Sequence, residues 1–313
     1  MTDEAHRSLV ARDLVAALDA LPDLGQLDAE SLPAFRAARA GAPPVLDSDG
    51  EIEVREVEVP TPTGGTATGL LYLPASAGPS RPALLNIHGG GYVLGSPRRE
   101  DAGTRLLVRA LGCVALVPRY RLAPEHPHPA ALDDCAIALS CLADQSDALG
   151  VDPARVAVRG VSAGGGLALG LALRTRDEGG PAIRHLQLIY PMVDDRSEGT
   201  QATGRLVWTS AANRFGWNSL LRGHDRDNPP AYAVPGRAPS VAGLPPVFVG
   251  VGSIDLFVGE NLALAARLAA SGVPVELHLY PGAYHGFAAL SGTPTAEALR
   301  RDEIAALTRA FES

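Results

Sequence analysis

Cysteine is scarce in this chain of 313 residues. Cys113, Cys135 and Cys141 are three, an odd number, and Cys135 and Cys141 have no zinc-ligand pattern around them. That argues against a disulfide framework and for buried free thiols in a reducing compartment. Positive charge is short as well. The 27 Lys and Arg against 35 Asp and Glu leave a net charge of −8, with a pI of about 5.5. Nucleic acid and anionic membranes both need basic surface, so neither is expected as a partner. No apolar run approaches the roughly 18 residues of a transmembrane helix. The start, Met1-Thr2-Asp3-Glu4-Ala5, lacks the charged-then-apolar order of a signal peptide. The expectation is a cytoplasmic protein. Internal repeats and low-complexity tracts are missing. His126 and His128 flank Pro127 and do not resemble a ligand pair on one helix face, so neither metal nor organic cofactor is implied.

What is present is a large-core composition, 46% hydrophobic and 20% charged. Residues 1 to about 40 read as helices, with Leu9, Val10, Leu14, Val15 and Leu18 at helical spacing and a second segment from Ser31 to Ala40. From Ile52 the period changes to two, and two such runs flank Pro62-Thr63-Gly64-Gly65 as an antiparallel hairpin. Apolar strands then alternate with helices. The strands are Ala83–Ile87, Cys113–Pro118, Val156–Gly160, His185–Tyr190, Val247–Gly250 and Val275–Tyr280. The helices lie near Arg99–Leu111, Ala130–Leu149, Ala163–Arg176, Glu260–Ser271 and Thr295–Phe311. This alternation predicts an α/β fold with a mostly parallel central sheet, helices on both faces and an antiparallel hairpin at one edge. One stretch, 195–233, breaks the pattern and holds both tryptophans, Trp208 and Trp217. An insertion of that length suggests a lid. The expected organisation is a helical cap from 1–48 and 195–233 over a core of 49–194 and 234–313.

Gly160-Val161-Ser162-Ala163-Gly164 sits between a predicted strand and a predicted helix. A serine hydroxyl needs a base and an exposed, sharply turned backbone to act as a nucleophile, and G-x-S-x-G in this context supplies the turn. A plain helix N-cap would use the same serine. His88-Gly89-Gly90-Gly91 follows another strand. Three glycines are entropically costly and suit a loop whose N–H groups approach a developing oxyanion, although a flexible turn is the alternative. His285, on a loop after the last strand, has the pKa range to take and return a proton, and His278 within that strand is its competitor. Asp255 follows the strand starting at Val247 and would orient the histidine. Glu260, Asp194 and Asp195 are weaker alternatives. The order Ser162, Asp255, His285 is the one expected on an α/β-hydrolase sheet.

These motifs closely resemble the bacterial hormone-sensitive-lipase-like (family IV) esterases, a branch of the α/β-hydrolases. The similarity rests on His88–Ser96, Tyr120–His126, Pro129–Asp134, Gly160–Gly165, Tyr190-Pro191, Asp255 with its flanks and His285-Gly286-Phe287, and spans roughly residue 50 to the C-terminus. It implies ester hydrolysis of a small-molecule substrate by Ser162, His285 and Asp255, with an oxyanion hole from Gly89, Gly90 and Ala163. It makes His88 a support of the oxyanion loop and Tyr120–His126 a structural segment. Dimerisation through the last strand is common in the family, so a homodimer is a candidate assembly. Two departures stand out: Val161 and Arg119 occupy positions where the family usually has acidic residues. Candidate pocket residues are Tyr92, Tyr190, Trp208, Phe215, Trp217, Phe257 and Phe287, the aromatics of the insertion serving alternatively as the cap's own core. The same triad also serves amidases, lactonases and acyltransferases, and non-catalytic receptors share the fold.

Overall fold

The computed structural model describes residues 6–38 and 50–312, apart from 20, 22–23, 61–65, 76–77 and 79. The predicted hairpin turn at Pro62–Gly65 lies outside the described residues. Eight strands form one sheet: β1 Ile52–Pro60, β2 Thr66–Pro74, β3 Arg81–Ile87, β4 Val114–Arg119, β5 Val151–Val161, β6 His185–Ile189, β7 Val247–Gly252 and β8 Val275–Tyr280. Their spatial order is β1-β2-β4-β3-β5-β6-β7-β8. β1 and β2 pair antiparallel, as does β2 with β4, and every later pair is parallel.

Alternation along the strands sorts side chains onto two faces. Leu85 and Val158 point to one face with Leu116 and Leu188, and Leu84, Ala115 and Ala157 to the other. On the first face pack α3 Ala130–Asp144, α4 Ala163–Glu178 and α6 Val258–Ala270. On the second pack α2 Asp101–Leu111 and α7 Pro294–Glu312. Burial on both faces explains why the parallel strands read as continuous apolar runs. Cys113, Cys135 and Cys141 are buried and unbonded, and burial pushes the Cys113 thiol up to about 12.

α4 is buried along its whole first half, Ala163 to Leu173. Glycines let it press on the sheet: a Cβ at Gly166 would fall 2.2 Å from Met192 O, and one at Gly164 2.2 Å from Ile87 O. The N-terminal region is more broken than its periodicity predicts. It contains short turns at Arg12–Leu14, Val15–Leu18 and Leu24–Gln26, then α1 Leu32–Ala38. Between β6 and β7 the one α-helix is α5 Ser210–Leu220, capped by the Thr209 hydroxyl accepting from Ala212 N. Leu24, Leu27 and Leu32 share a buried cluster with Trp208, Trp217 and Leu220, so the two segments pack together. Among the described residues no helix is long and apolar enough to cross a membrane.

Candidate active site

Because β3, β5, β6, β7 and β8 run parallel, their C-terminal ends open onto one edge of the sheet, where open α/β folds place ligand sites. β5 ends at Val161 and turns directly into α4 through Ser162, whose φ of 56° is a left-handed value for a non-glycine residue. Such strain persists only where surrounding contacts hold it. Ser162 N donates to Ile189 O at 2.9 Å, and Ser162 O accepts from Gly165, Gly166 and Met192 N–H groups at 2.8, 3.2 and 3.0 Å. The flanking glycines are required by close approach. A Cβ at Gly160 would sit 2.1 Å from Gly164 O.

The loops after β7 and β8 bring the other two polar groups to this turn. Asp255 lies three residues past Gly252, and a Cβ on Gly252 would meet Ala283 O at 2.1 Å. Ile254 N donates to Ala283 O (3.2 Å) and Gly282 N to Ser253 Oγ (2.8 Å), which knits the loops together. Ser162 Oγ lies 2.9 Å from His285 Nε2, and His285 Nδ1 lies 2.9 Å from Asp255 Oδ2. Asp255 Oδ1 accepts from Phe257 N at 2.9 Å. All three side chains are buried, Asp255 to 1% exposure. The alternatives are engaged elsewhere. His278 sits between Glu276 and Asp302 on the outer strand. Asp195 is held by Arg226 and Arg237 and Asp194 by Arg196. Glu260 accepts from Val193 N and the Ser197 hydroxyl.

The glycine loop after β3 closes the third side. A Cβ on Gly89 would lie 3.2 Å from Ser162 Cβ, so that backbone passes against the Ser162 side chain. His88 is buried, stacked on Tyr120 at 4.1 Å, with Nδ1 2.9 Å from Gly89 O. Burial lowers its pKa to about 4, so it stands neutral beneath the loop. Ala163 opens α4 at the residue after Ser162.

The aromatic candidates divide. Tyr190 and Phe257 meet the His285 ring edge-on at 4.7 and 5.1 Å, and Trp208 lies 6.2 Å from it. Trp208 also covers Gly91, where a Cβ would fall 2.0 Å from its Cη2. Phe215 is half-buried against the core. Tyr92 and Trp217 are enclosed, as Phe257 also is. They pack on each other at 5.1 Å, neither exposes more than 1% of its surface, and the Tyr92 hydroxyl donates to Met192 O at 2.9 Å. Phe287 is likewise enclosed, backing Tyr190 at 5.8 Å.

In the loop after β6 the sequence points to Tyr190-Pro191, Asp194 and Asp195, but not to the contacts made by residues 191–193. Met192 N reaches Ser162 O, Met192 O receives the Tyr92 hydroxyl, Pro191 O receives Asn261 Nδ2 at 2.8 Å, and Val193 N reaches Glu260. Residues 191–193 thus join the serine turn, the glycine loop and the helix after Asp255. Most of these contacts use backbone atoms, which leave no residue-type signal beyond Tyr190-Pro191.

Known proteins are similar to this chain in sequence and in fold. A family profile described as the α/β-hydrolase fold matches residues 84–289. Esterase LipI of Mycobacterium tuberculosis is 34% identical over 264 residues, 82% of each chain. Carboxylesterase NlhH of the same species is 34% identical over 261 residues, 78% of each chain. Among solved structures, a bacterial heroin esterase superposes with a TM-score of 0.89 at 32% identity, covering 98% of this chain and 99% of that one. A thermostable esterase from Pseudomonas putida ECU1011 gives 0.85 at 30% identity, covering 96% and 98%. On this likeness in sequence and in fold, the chain belongs to the α/β-hydrolase family, in its hormone-sensitive-lipase-like esterase branch, and is a carboxylesterase.

Proposed function

We propose that the chain hydrolyses short-to-medium acyl esters through an acyl-serine intermediate. The observation that carries this reading is the unbroken hydrogen-bonded series Ser162–His285–Asp255 at the C-terminal edge of the sheet. A carboxylate only accepts, so Asp255 fixes the His285 proton on Nδ1 and leaves Nε2 free to accept from Ser162 Oγ. Ser162 Oγ attacks the ester carbonyl carbon and His285 takes its proton. The oxyanion is held by the N–H groups of Gly89, Gly90 and Ala163, and the N-terminus of α4 favours negative charge there. Collapse breaks the carbon–oxygen bond to the alcohol, which leaves with the proton from His285. Water, deprotonated by His285, then attacks the acyl carbon, the bond from that carbon to Ser162 Oγ breaks, and His285 returns the proton to Ser162 as the acid leaves.

Trp208 and Tyr190 crowd the histidine, and Trp208 lies over Gly91, which favours short acyl chains. We assign 1–48 and 195–233 to a cap, on the shared packing of Leu24, Leu27 and Leu32 with Trp208 and Trp217. β8, at the sheet edge with Leu277 and Leu279 exposed, is assigned to pairing with a second copy.

The test is hydrolysis of p-nitrophenyl esters from C2 to C12, with Ser162→Ala as control. Turnover is expected to peak at the short end and to fall by at least about three orders of magnitude in the variant. Unchanged turnover in Ser162→Ala, or a peak at C12, would overturn the mechanism or the chain-length reading respectively.

A further inference from the structure

The segment Tyr120–His126 follows β4 and takes no part in the proton relay. Its contacts give it another task. Arg36, near the end of α1, reaches two loops at once. Nε donates to Val93 O and Nη2 to Ala123 O, both at 2.9 Å, while Nη1 and Nη2 clasp the Glu125 carboxylate at 2.7 and 2.9 Å. Val93 lies two residues beyond Gly91. The amides of Val93 and Leu94 donate to Gly90 O at 3.2 and 2.8 Å, so Val93 belongs to the turn that presents Gly89 and Gly90. The receiving loop grips the same turn directly: Ala123 N donates to Tyr92 O at 3.0 Å and the Tyr120 hydroxyl to His88 O at 2.9 Å.

The Glu125 carboxylate is half exposed, so the ion pair itself adds little stability. Its effect is orientation. A bidentate carboxylate fixes the plane of the guanidinium, and a fixed plane aims the remaining N–H groups at Val93 O and Ala123 O. We propose that Arg36 is a positioning residue for the oxyanion hole: docked on Glu125, it locks the Val93 carbonyl and so holds the Gly89–Gly90 turn in register with Ser162. The Tyr120–His126 segment is then the seat of this clamp, and the N-terminal segment must be docked for the hole to be formed. The kinetic part of this inference rests on the ester-hydrolase reading above.

The experiment compares Arg36→Met, Arg36→Lys and Glu125→Gln with wild type in two readouts, steady-state kinetics on p-nitrophenyl acetate and amide hydrogen exchange of the peptide spanning 88–95. A misplaced oxyanion donor weakens transition-state binding and leaves substrate binding alone. Arg36→Met is expected to lower kcat about tenfold or more with KM within about twofold, and to speed exchange in 88–95 about tenfold while β3 and β5 stay protected. Arg36→Lys keeps the charge without the fork and should recover little. Glu125→Gln should lose kcat in the same direction and by less. Asp19→Asn breaks the exposed Arg7–Asp19 pair elsewhere in the N-terminal segment and should leave both readouts at wild type. An unchanged kcat in Arg36→Met, a loss confined to KM, unchanged exchange in 88–95, or full recovery with lysine overturns the proposal. Should wild type show no Ser162-dependent turnover, the functional reading fails on its own, and the exchange of 88–95 still decides for or against the clamp.

Discussion

At the scale of one residue, a missing Cβ decides how near Trp208 comes to the glycine loop after β3. Gly91 has φ of 60°, and a Cβ there would lie 2.0 Å from the indole. Two costs therefore oppose Gly91→Ala. The left-handed backbone costs roughly 1–2 kcal/mol for a residue with a Cβ, and the ring must move. The variant is expected to lose at least about tenfold in kcat/KM on p-nitrophenyl acetate, since a small misplacement in such a site is costly. Trp208→Ala in the same chain removes the second cost alone. The double variant should regain part of the loss and accept octanoate better than wild type does. If it performs no better than Gly91→Ala, the ring contact is not what the glycine protects. The three side chains that hydrogen-bond in series, Ser162, His285 and Asp255, were legible at this scale because each carries a chemical type, in a fixed order, beside glycines that mark turns. Arg36 was not legible. Its targets are two carbonyl oxygens and Glu125, the latter 89 residues away, and nothing in its neighbours distinguishes it from the other arginines.

At the scale of elements, the apolar strands were the easiest to read, and even the partly exposed edge strand Val275–Tyr280 was placed to the residue. β5 extends further, from Val151, because Val151 pairs with Arg81 at the start of β3 and the register then shifts so that Val156 meets Ala83, a pairing no local pattern announces. The helix read as Ala130–Leu149 breaks at Gln145, where the chain holds no proline or glycine. Glu260, where the sequence predicts a helix to begin, sits in the first turn of α6. Its carboxyl, however, turns inward to Val193 N and the Ser197 hydroxyl. Burial pushes it up to about 8. The hydrogen bonds from Ser197 and Val193 oppose that rise and Asp194 adds to it. The unfolded chain releases this proton near 4.5 and the folded chain near 8. Folding is therefore favoured by proton retention at low pH, and that contribution is lost as pH rises from about 4.5 to 8. Glu260→Gln keeps both oxygen and shape but cannot titrate. Its Tm should fall less than that of wild type between pH 6 and 9, measured by thermal denaturation. Parallel curves for the two proteins would mean that Glu260 is not the group responsible.

At the scale of the molecule, all 27 cationic side chains are arginine and none is lysine. The fold uses their forks to bind backbone carbonyls across segments. Arg176 holds Ser240 O and Ala242 O, and Arg267 holds Gly236 O and Ala238 O, a bridging geometry suited to a guanidinium with its several fixed donors. The two edges of the sheet differ in the same terms. β1 carries Glu53, Arg55, Glu56 and Glu58, a charged edge that resists pairing with another chain. β8 instead exposes Leu277 and Leu279, at 37% and 46%, with Leu262 of α6 also exposed at 42%. A bare strand with leucines outward is stable in solution when a second strand covers it. The expected mass by light scattering is about twice the 32.4 kDa of one chain. Leu279→Arg places a charge on that edge and should yield the single-chain mass, with ester turnover retained because the substitution is remote from Ser162. A wild-type protein that runs at 32.4 kDa at tens of micromolar would leave β8 as an unpaired edge and remove the dimer.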